Sequence, residues 1–407
     1  MRELLRAPGT GPRKVTTIGV VVLCLATVLW AVVFGARLYR WEAYIWVPVY
    51  LTSHDSDPDV PDDQKHLIFM MVDHYEHGGP NAKERAAAEN SHWCRKFRQI
   101  SDHFRDDYGN NFKYTWFYPY DHKNESIVRE LSAMARDGYG EIELHWHLTA
   151  ASGVTNATFG DSLKKAIDWF QQFGAFITDE NPPRTAFAYI AGNWDLDASR
   201  PGPKTHGVTN QIDQLFKKGC YADFTFSTVG TPAQPRKVNS IYYVRDDPIR
   251  RKSYDWGEDV RVGKPVSDRL MMFEGPMGLN WLGQMEYGAV ESDPRFSPGR
   301  VDKWIDTDIH VRGRPEWIFV KIYSHGAQSE KVVLEHDMAW MLETLIQRCK
   351  ARRIHLHFMT AREAYNVVKA AEAGKTGNPE DYRDFIIPPY RNCIREARPV
   401  FVQTHAW

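Results

Sequence analysis

The sequence predicts an α/β fold with parallel strands, carried on a single N-terminal membrane helix. Three observations predict it. Short apolar runs such as His66-Leu-Ile-Phe-Met-Met-Val72 suit strands buried on both faces. Stretches with apolar residues at helical spacing alternate with these runs, the rhythm of a parallel sheet. Residues 15–36 carry no charge over 22 positions, about 33 Å of helix and enough to cross the hydrocarbon of a bilayer.

At the N-terminus, Arg2, Arg6, Arg13 and Lys14 precede the apolar stretch, against Arg37 and Arg40 after it. That asymmetry sets the N-terminus in the cytoplasm and the body on the periplasmic or extracellular side. The stretch is longer than the core of a signal peptide, and Phe34 and Ala36 fit a cleavage site poorly, so it reads as a retained anchor. Tyr39, Trp41, Tyr44, Trp46 and Tyr50 suit an interfacial belt, and the Asp- and Pro-rich residues 52–65 read as an exposed spacer.

Beyond it, apolar spacing predicts helices over 81–104, 124–137, 161–174, 209–218 and 331–350. Strands are predicted over 66–72, 113–118, 141–147, 186–190, 220–227, 317–325 and 354–359. Thr360 and Glu363 have the spacing of a capping box for a last helix running to Ala373. The rhythm breaks over 228–314, rich in Pro, Gly and charge, which is expected to be an insertion or lid. The expected organisation is a cytoplasmic tail (1–14), an anchor (15–36), a juxtamembrane linker (37–64), a catalytic domain (65–373) and a peripheral tail (374–407).

A net charge of -1 gives no electrostatic case for nucleic acid. The five cysteines show no Cys-x-x-Cys spacing, which argues against a structural zinc site. Asn124-Glu-Ser and Asn156-Ala-Thr match glycosylation acceptors.

Chemistry gathers at three strand ends. In Glu141-Ile-Glu-Leu-His-Trp-His147 the strand alternation puts His145 and His147 on one face, close enough to hold one divalent metal. The first strand ends in Asp73-His-Tyr-Glu-His77, and a later one in Tyr323-Ser-His325-Gly. Together these supply ligands, a base (Asp73) and an acid (His325) for hydrolysis by a metal-activated water. Solvated loop positions are the competing reading for His74 and His77, core or strand-bottom positions for His355 and His357, and helix capping for Asp195 and Asp197. Asp223 is left between a functional and a structural role.

The order of these motifs resembles the polysaccharide deacetylase family, the NodB-homology fold of carbohydrate esterase family four. Asp73 matches the family's base, His74 replaces its metal-binding Asp, and Glu76 is the other candidate ligand. His145 matches the first motif His, with His147 standing in for a later one at shorter spacing. Gly192-Asn193-Trp194 resembles a third motif that lacks its Arg, which makes Asn193 and Trp194 candidate substrate contacts. Ser324-His325 and Phe358-Met-Thr-Ala-Arg-Glu363 match the closing motifs. The resemblance implies a distorted (β/α)7 barrel with one divalent metal, zinc first and cobalt, nickel or manganese after it.

The leading expectation is therefore a membrane-anchored glycan deacetylase. A catalytically degenerate glycan-binding or scaffold subunit of a polysaccharide synthesis or export complex is the second reading. A glycoside hydrolase using Asp73 with Glu76 or Glu143 is the third.

Overall fold

The computed structural model describes residues 12–394, apart from 54–56, 78–82, 201, 203–204, 281, 292–293 and 328–329. Arg2, Arg6, the Gly-Gly-Pro that follows His77 and the end of the chain past 394 lie outside these residues.

A mixed α/β architecture is built around one sheet. Its strands are β1 (His66–His74), β2 (Tyr114–Pro119), β3 (Gly140–Trp146), β4 (Phe187–Ala191), β5 (Cys220–Asp223), β6 (Ser240–Val244), β7 (Glu258–Asp259) and β8 (Leu270–Glu274), with β11 (Trp317–Ser324) and β12 (His355–Phe358) added later in the chain. A small hairpin, β9 (Gly278–Leu279) with β10 (Met285–Glu286), stands apart. The sheet order is β11-β1-β2-β3-β4-β5-β8-β6-β7, and β12 pairs with the first half of β1. Every pairing from β11 through β8 is parallel, and β6 runs antiparallel to both its neighbours, β8 and β7. Beyond β11, Phe319 N–H donates to Ile309 O (2.8 Å) and Arg312 N–H to Val260 O (2.9 Å), so irregular backbone links β11 toward the β6–β7 side.

β1, paired with β11 along one edge and with β12 and β2 along the other, is apolar on both faces. Leu67, Phe69 and Met71 pack against helices, while Ile68, Met70 and Val72 meet Phe117, Ile190, Phe273 and Phe319 on the other side. The covering helices include α3 (Lys83–His103), α4 (Glu125–Arg136) and α5 (Phe159–Gln171), with shorter α6 (Gln211–Lys217) and α7 (Gly299–Asp306). Asn124 caps α4 by accepting from Ser126 N–H and is itself buried. A short α8 (Glu330–Val332) and a π turn lead into α9 (Met338–Arg352). α10 (Ala361–Glu372) begins with the expected capping box of Thr360 and Glu363.

At the N-terminus, α1 (Pro12–Arg40) contains a 24-residue span, Thr17–Arg40, long and apolar enough to cross a membrane. The next segment is not the loose linker expected. Ala43 and Trp46, beside the short α2 (Val47–Thr52), are fully buried with Val238 and Met277, and Gly230 N–H donates to Trp41 O (3.1 Å). The spacer is tied down as well, Asp57 accepting from Gly313 N–H and Asp62 from Arg352.

Two further expectations need correcting. The segment read as an insertion supplies β8, a buried strand parallel to β5 and therefore part of the main sheet. The tail read as peripheral folds back through the core: Tyr390 is fully buried, and its hydroxyl donates to Glu143 (2.8 Å). All five cysteines are free.

Candidate metal centre

Strand alternation decides what points into the site. Met71 and Asp73 leave β1 on the helix-covered face; Val72 and His74 leave on the other. His74 thereby meets His145 from the end of β3, two strands away, and His325 from the end of β11, with ring centroids 4.9 and 4.6 Å away. His145 and His147 share one face as expected, 4.5 Å apart. Glu76, two residues past β1, reaches both: its Oε1 lies 3.0 Å from His145 Nε2 and 3.2 Å from His147 Nε2. Ligand atoms of His74, Glu76 and His145 all lie within 4.8 Å of one another.

The outer nitrogens are held by the protein. His145 Nδ1 stands 2.9 Å from Ile190 O, a carbonyl that can only accept, so the proton sits on Nδ1 and the Nε2 lone pair faces Glu76. His147 Nδ1 is held by the Asp121 carboxylate at 3.2 Å. No hydrogen bond engages the His74 imidazole among the described residues, although it is buried. An imidazole without a partner, beside a second one whose free lone pair faces a carboxylate, is a donor set suited to a transition metal.

The electrostatics agree with neutral imidazoles at two of these positions. Burial, then the neighbouring His325 and His145, pushes His74 well below the usual histidine range. Burial and His147 lower His145, against the pull of Glu76. Burial would raise Glu76, but the facing imidazoles of His145 and His147 hold its carboxyl far below the ordinary value. His147 goes the other way: burial opposes its charge, yet Asp121 and Glu76 lift it to about 10.

His325 stands on the rim with its Nδ1 2.5 Å from Glu291 Oε1. Its ring and that of His74 both face Trp194, at 5.9 and 5.8 Å. The Trp194 indole N–H is buried without a partner, while Asn193 is exposed. Both residues adopt left-handed backbone, φ 55 and φ 54, the kind of local strain that gathers at functional sites.

Asp73, the expected base, leaves β1 on the face opposite His74, and its Oδ2 is buried without a hydrogen-bond partner. It is fully buried on the helix side, where its Oδ1 accepts from Ser324 Oγ (2.8 Å) and Gly326 N–H (2.6 Å). Burial pushes its pKa up to about 7 against these two donors. The alternation of β1 turns Asp73 and His74 to opposite faces at the strand end, so Asp73 reaches the cluster through Ser324 and Gly326, which flank His325. Glu143 is sealed too, accepting from Tyr221, Tyr390 and Ala188 N–H, which leaves a carboxylate pair for glycoside hydrolysis unsupported.

His77 packs on Tyr75, buried rather than solvated. His357 is a buried polar group bonded to Glu380, and Asp195, Asp197 and Asp223 tie turns by accepting from Arg200, Ser253 and Thr225 backbone N–H groups. Three site residues escape the sequence reading: Asp121, His122 and Glu291. The first two carried a usable signal, a polar pair just past β2, whereas Glu291 sits in irregular chain with none.

No protein-family model matches this chain, and no curated protein matches it.

Proposed function

We propose that this protein is a membrane-anchored, metal-dependent hydrolase that removes acetyl groups from a glycan outside the cytoplasm. The observation that carries this reading is the meeting of His74, Glu76 and His145 within one ligand span, with the His145 Nε2 lone pair turned inward. The parallel strands and the backbone links beyond β11 support a sheet rolled into a distorted barrel. Active sites in such barrels lie at the carboxyl ends of the strands, where this cluster sits.

A divalent cation held by these residues, zinc or a similar transition metal, would supply Lewis acidity toward an acyl carbonyl and an acidified water. The chain's own groups serve the rest of the reaction. Glu291 holds His325 for proton donation to the leaving nitrogen or oxygen as the acyl bond breaks. The Trp194 indole N–H offers a donor, and its ring a wall, for the substrate. Asp73 fixes Ser324 and Gly326 on either side of His325, acting as a positioning residue.

The sealed position of Asp73 favours a second reading, a catalytically silent glycan-binding subunit of a polysaccharide synthesis complex. Full-length protein in detergent separates the two. Metal content by elemental analysis, with acetate release from acetylated oligosaccharides, should fall together in His145→Gln, and His325→Gln should keep the metal but lose turnover. Glycan binding without acetate release at full metal loading would sink the hydrolase reading.

A further inference from the structure

A second set of ligands stands beside the first. The chain leaves β2 through Tyr120-Asp-His-Lys in a tight turn, His122 N–H donating to Pro119 O (3.1 Å). Because β2 and β3 pair in register, Pro119 beside His145, this turn delivers Asp121 and His122 to His147. Asp121 Oδ1 accepts the His147 backbone N–H (3.1 Å), and Oδ2 lies 3.2 Å from His147 Nδ1. The His122 ring stacks over the His147 ring at 6.0 Å, and its Nδ1 is buried with no hydrogen-bond partner.

One ligand atom from each of Asp121, His122 and His147 lies within 4.8 Å of the others, the same span as His74, Glu76 and His145. The two triplets share no residue. Glu76 Oε1 stands between them, in reach of His145 on one side and His147 on the other. Among the described residues no Lys or Arg pairs with Asp121; its ion-pair partners are His122 and His147. Lys123, next in sequence, places its ammonium over the Tyr120 ring (4.2 Å).

We propose that Asp121, His122 and His147 hold a second divalent transition-metal ion, which makes the site dinuclear with Glu76 placed to bridge. Two imidazoles and a carboxylate suit zinc, manganese, iron or cobalt, and exclude a calcium-type oxygen cage. Paired cations about 3.5–4 Å apart are a recurring hydrolytic device. Such a pair would supply added charge to acidify a water, in a site whose expected base, Asp73, is fully buried. The proposal rests on the first metal position described above, but it can fail separately.

The test is a cobalt(II) titration of metal-stripped, full-length protein in detergent, read by visible absorption and by elemental analysis after desalting. About two equivalents are expected per chain, falling to about one in Asp121→Asn and in His122→Gln. Circular dichroism checks that both variants stay folded. One equivalent in the parent protein, kept in both variants but lost in His145→Gln, overturns the second site and leaves the first standing. One equivalent lost in His122→Gln but kept in His145→Gln overturns the first position instead. No cobalt at all overturns both.

Discussion

Gly192 and His147 are packed so closely that a Cβ on Gly192 would stand 2.5 Å from both the Cα and the Cδ2 of His147. The exit from β4 thus forms a wall of the histidine cluster, and only a residue without a side chain lets the wall approach. Gly192→Ala should push His147 away from Glu76 and Asp121. The expected overpacking cost is roughly 1–3 kcal/mol, with weaker metal binding alongside. Urea unfolding and a competitive metal titration would measure the two effects, and unchanged metal affinity would contradict the placement of His147.

Asp73 offers a contrast between two substitutions. Asp73→Asn keeps an oxygen to accept from Ser324 and Gly326, and should retain activity within about tenfold if the residue only positions the loop. Asp73→Ala leaves both donors buried and unpaired, at a cost of roughly 1–3 kcal/mol. Loss of about a hundredfold or more in the Asn variant, with stability intact, would restore Asp73 as the base.

The C-terminal segment should prove essential to folding. Tyr390→Ala removes a fully buried ring and one hydrogen bond to Glu143, for which about 3–5 kcal/mol is expected. Tyr390→Phe, losing the hydroxyl alone, should cost about 1–2 kcal/mol. Equal effects of the two substitutions in chemical denaturation would show that the ring contributes nothing.

Acid should loosen the end of the sheet opposite the histidine cluster. Burial would raise Glu363, but Lys113, Arg383 and Arg362 hold it at about 2. Glu380 is likewise held at about 2, by hydrogen bonds with His357 and Arg383 against its burial. Both carboxyls titrate lower in the folded chain than the ordinary 4.5, so the unfolded chain binds more protons between the two values. Their stabilisation is therefore present above pH 4.5 and lost as pH falls toward 2. Arg383→Ala should flatten this dependence and destabilise the chain at neutral pH by about 3–5 kcal/mol. Thermal unfolding across the acid range measures both, and an unchanged slope would contradict the assignment.

The strand ends were legible in the sequence because a period of two fixes faces. It put His145 and His147 together, and the same rule, applied to Asp73 and His74, separates them onto opposite faces. β8 was harder to place: Leu270-Met-Met-Phe has the character of β1 but is short, and it is set among Pro and Gly without a following helix. Tyr390 could not be read at all, since its partner Glu143 lies 247 positions away. Trp46 was taken for an interfacial ring because burial against Val238 and Met277 is also a long-range fact.

That seat of Trp46 governs reach. A domain hung from its anchor by a dozen flexible residues samples a hemisphere and can meet substrate at many heights above a bilayer. Here Ala43 and Trp46 are sealed into the body within a few residues of α1, and Asp57 and Asp62 pin the chain that follows. With α1 in a bilayer, the histidine cluster keeps one altitude and one tilt. Whatever binds at the cluster has to come to that height, because the body cannot lean out to meet it.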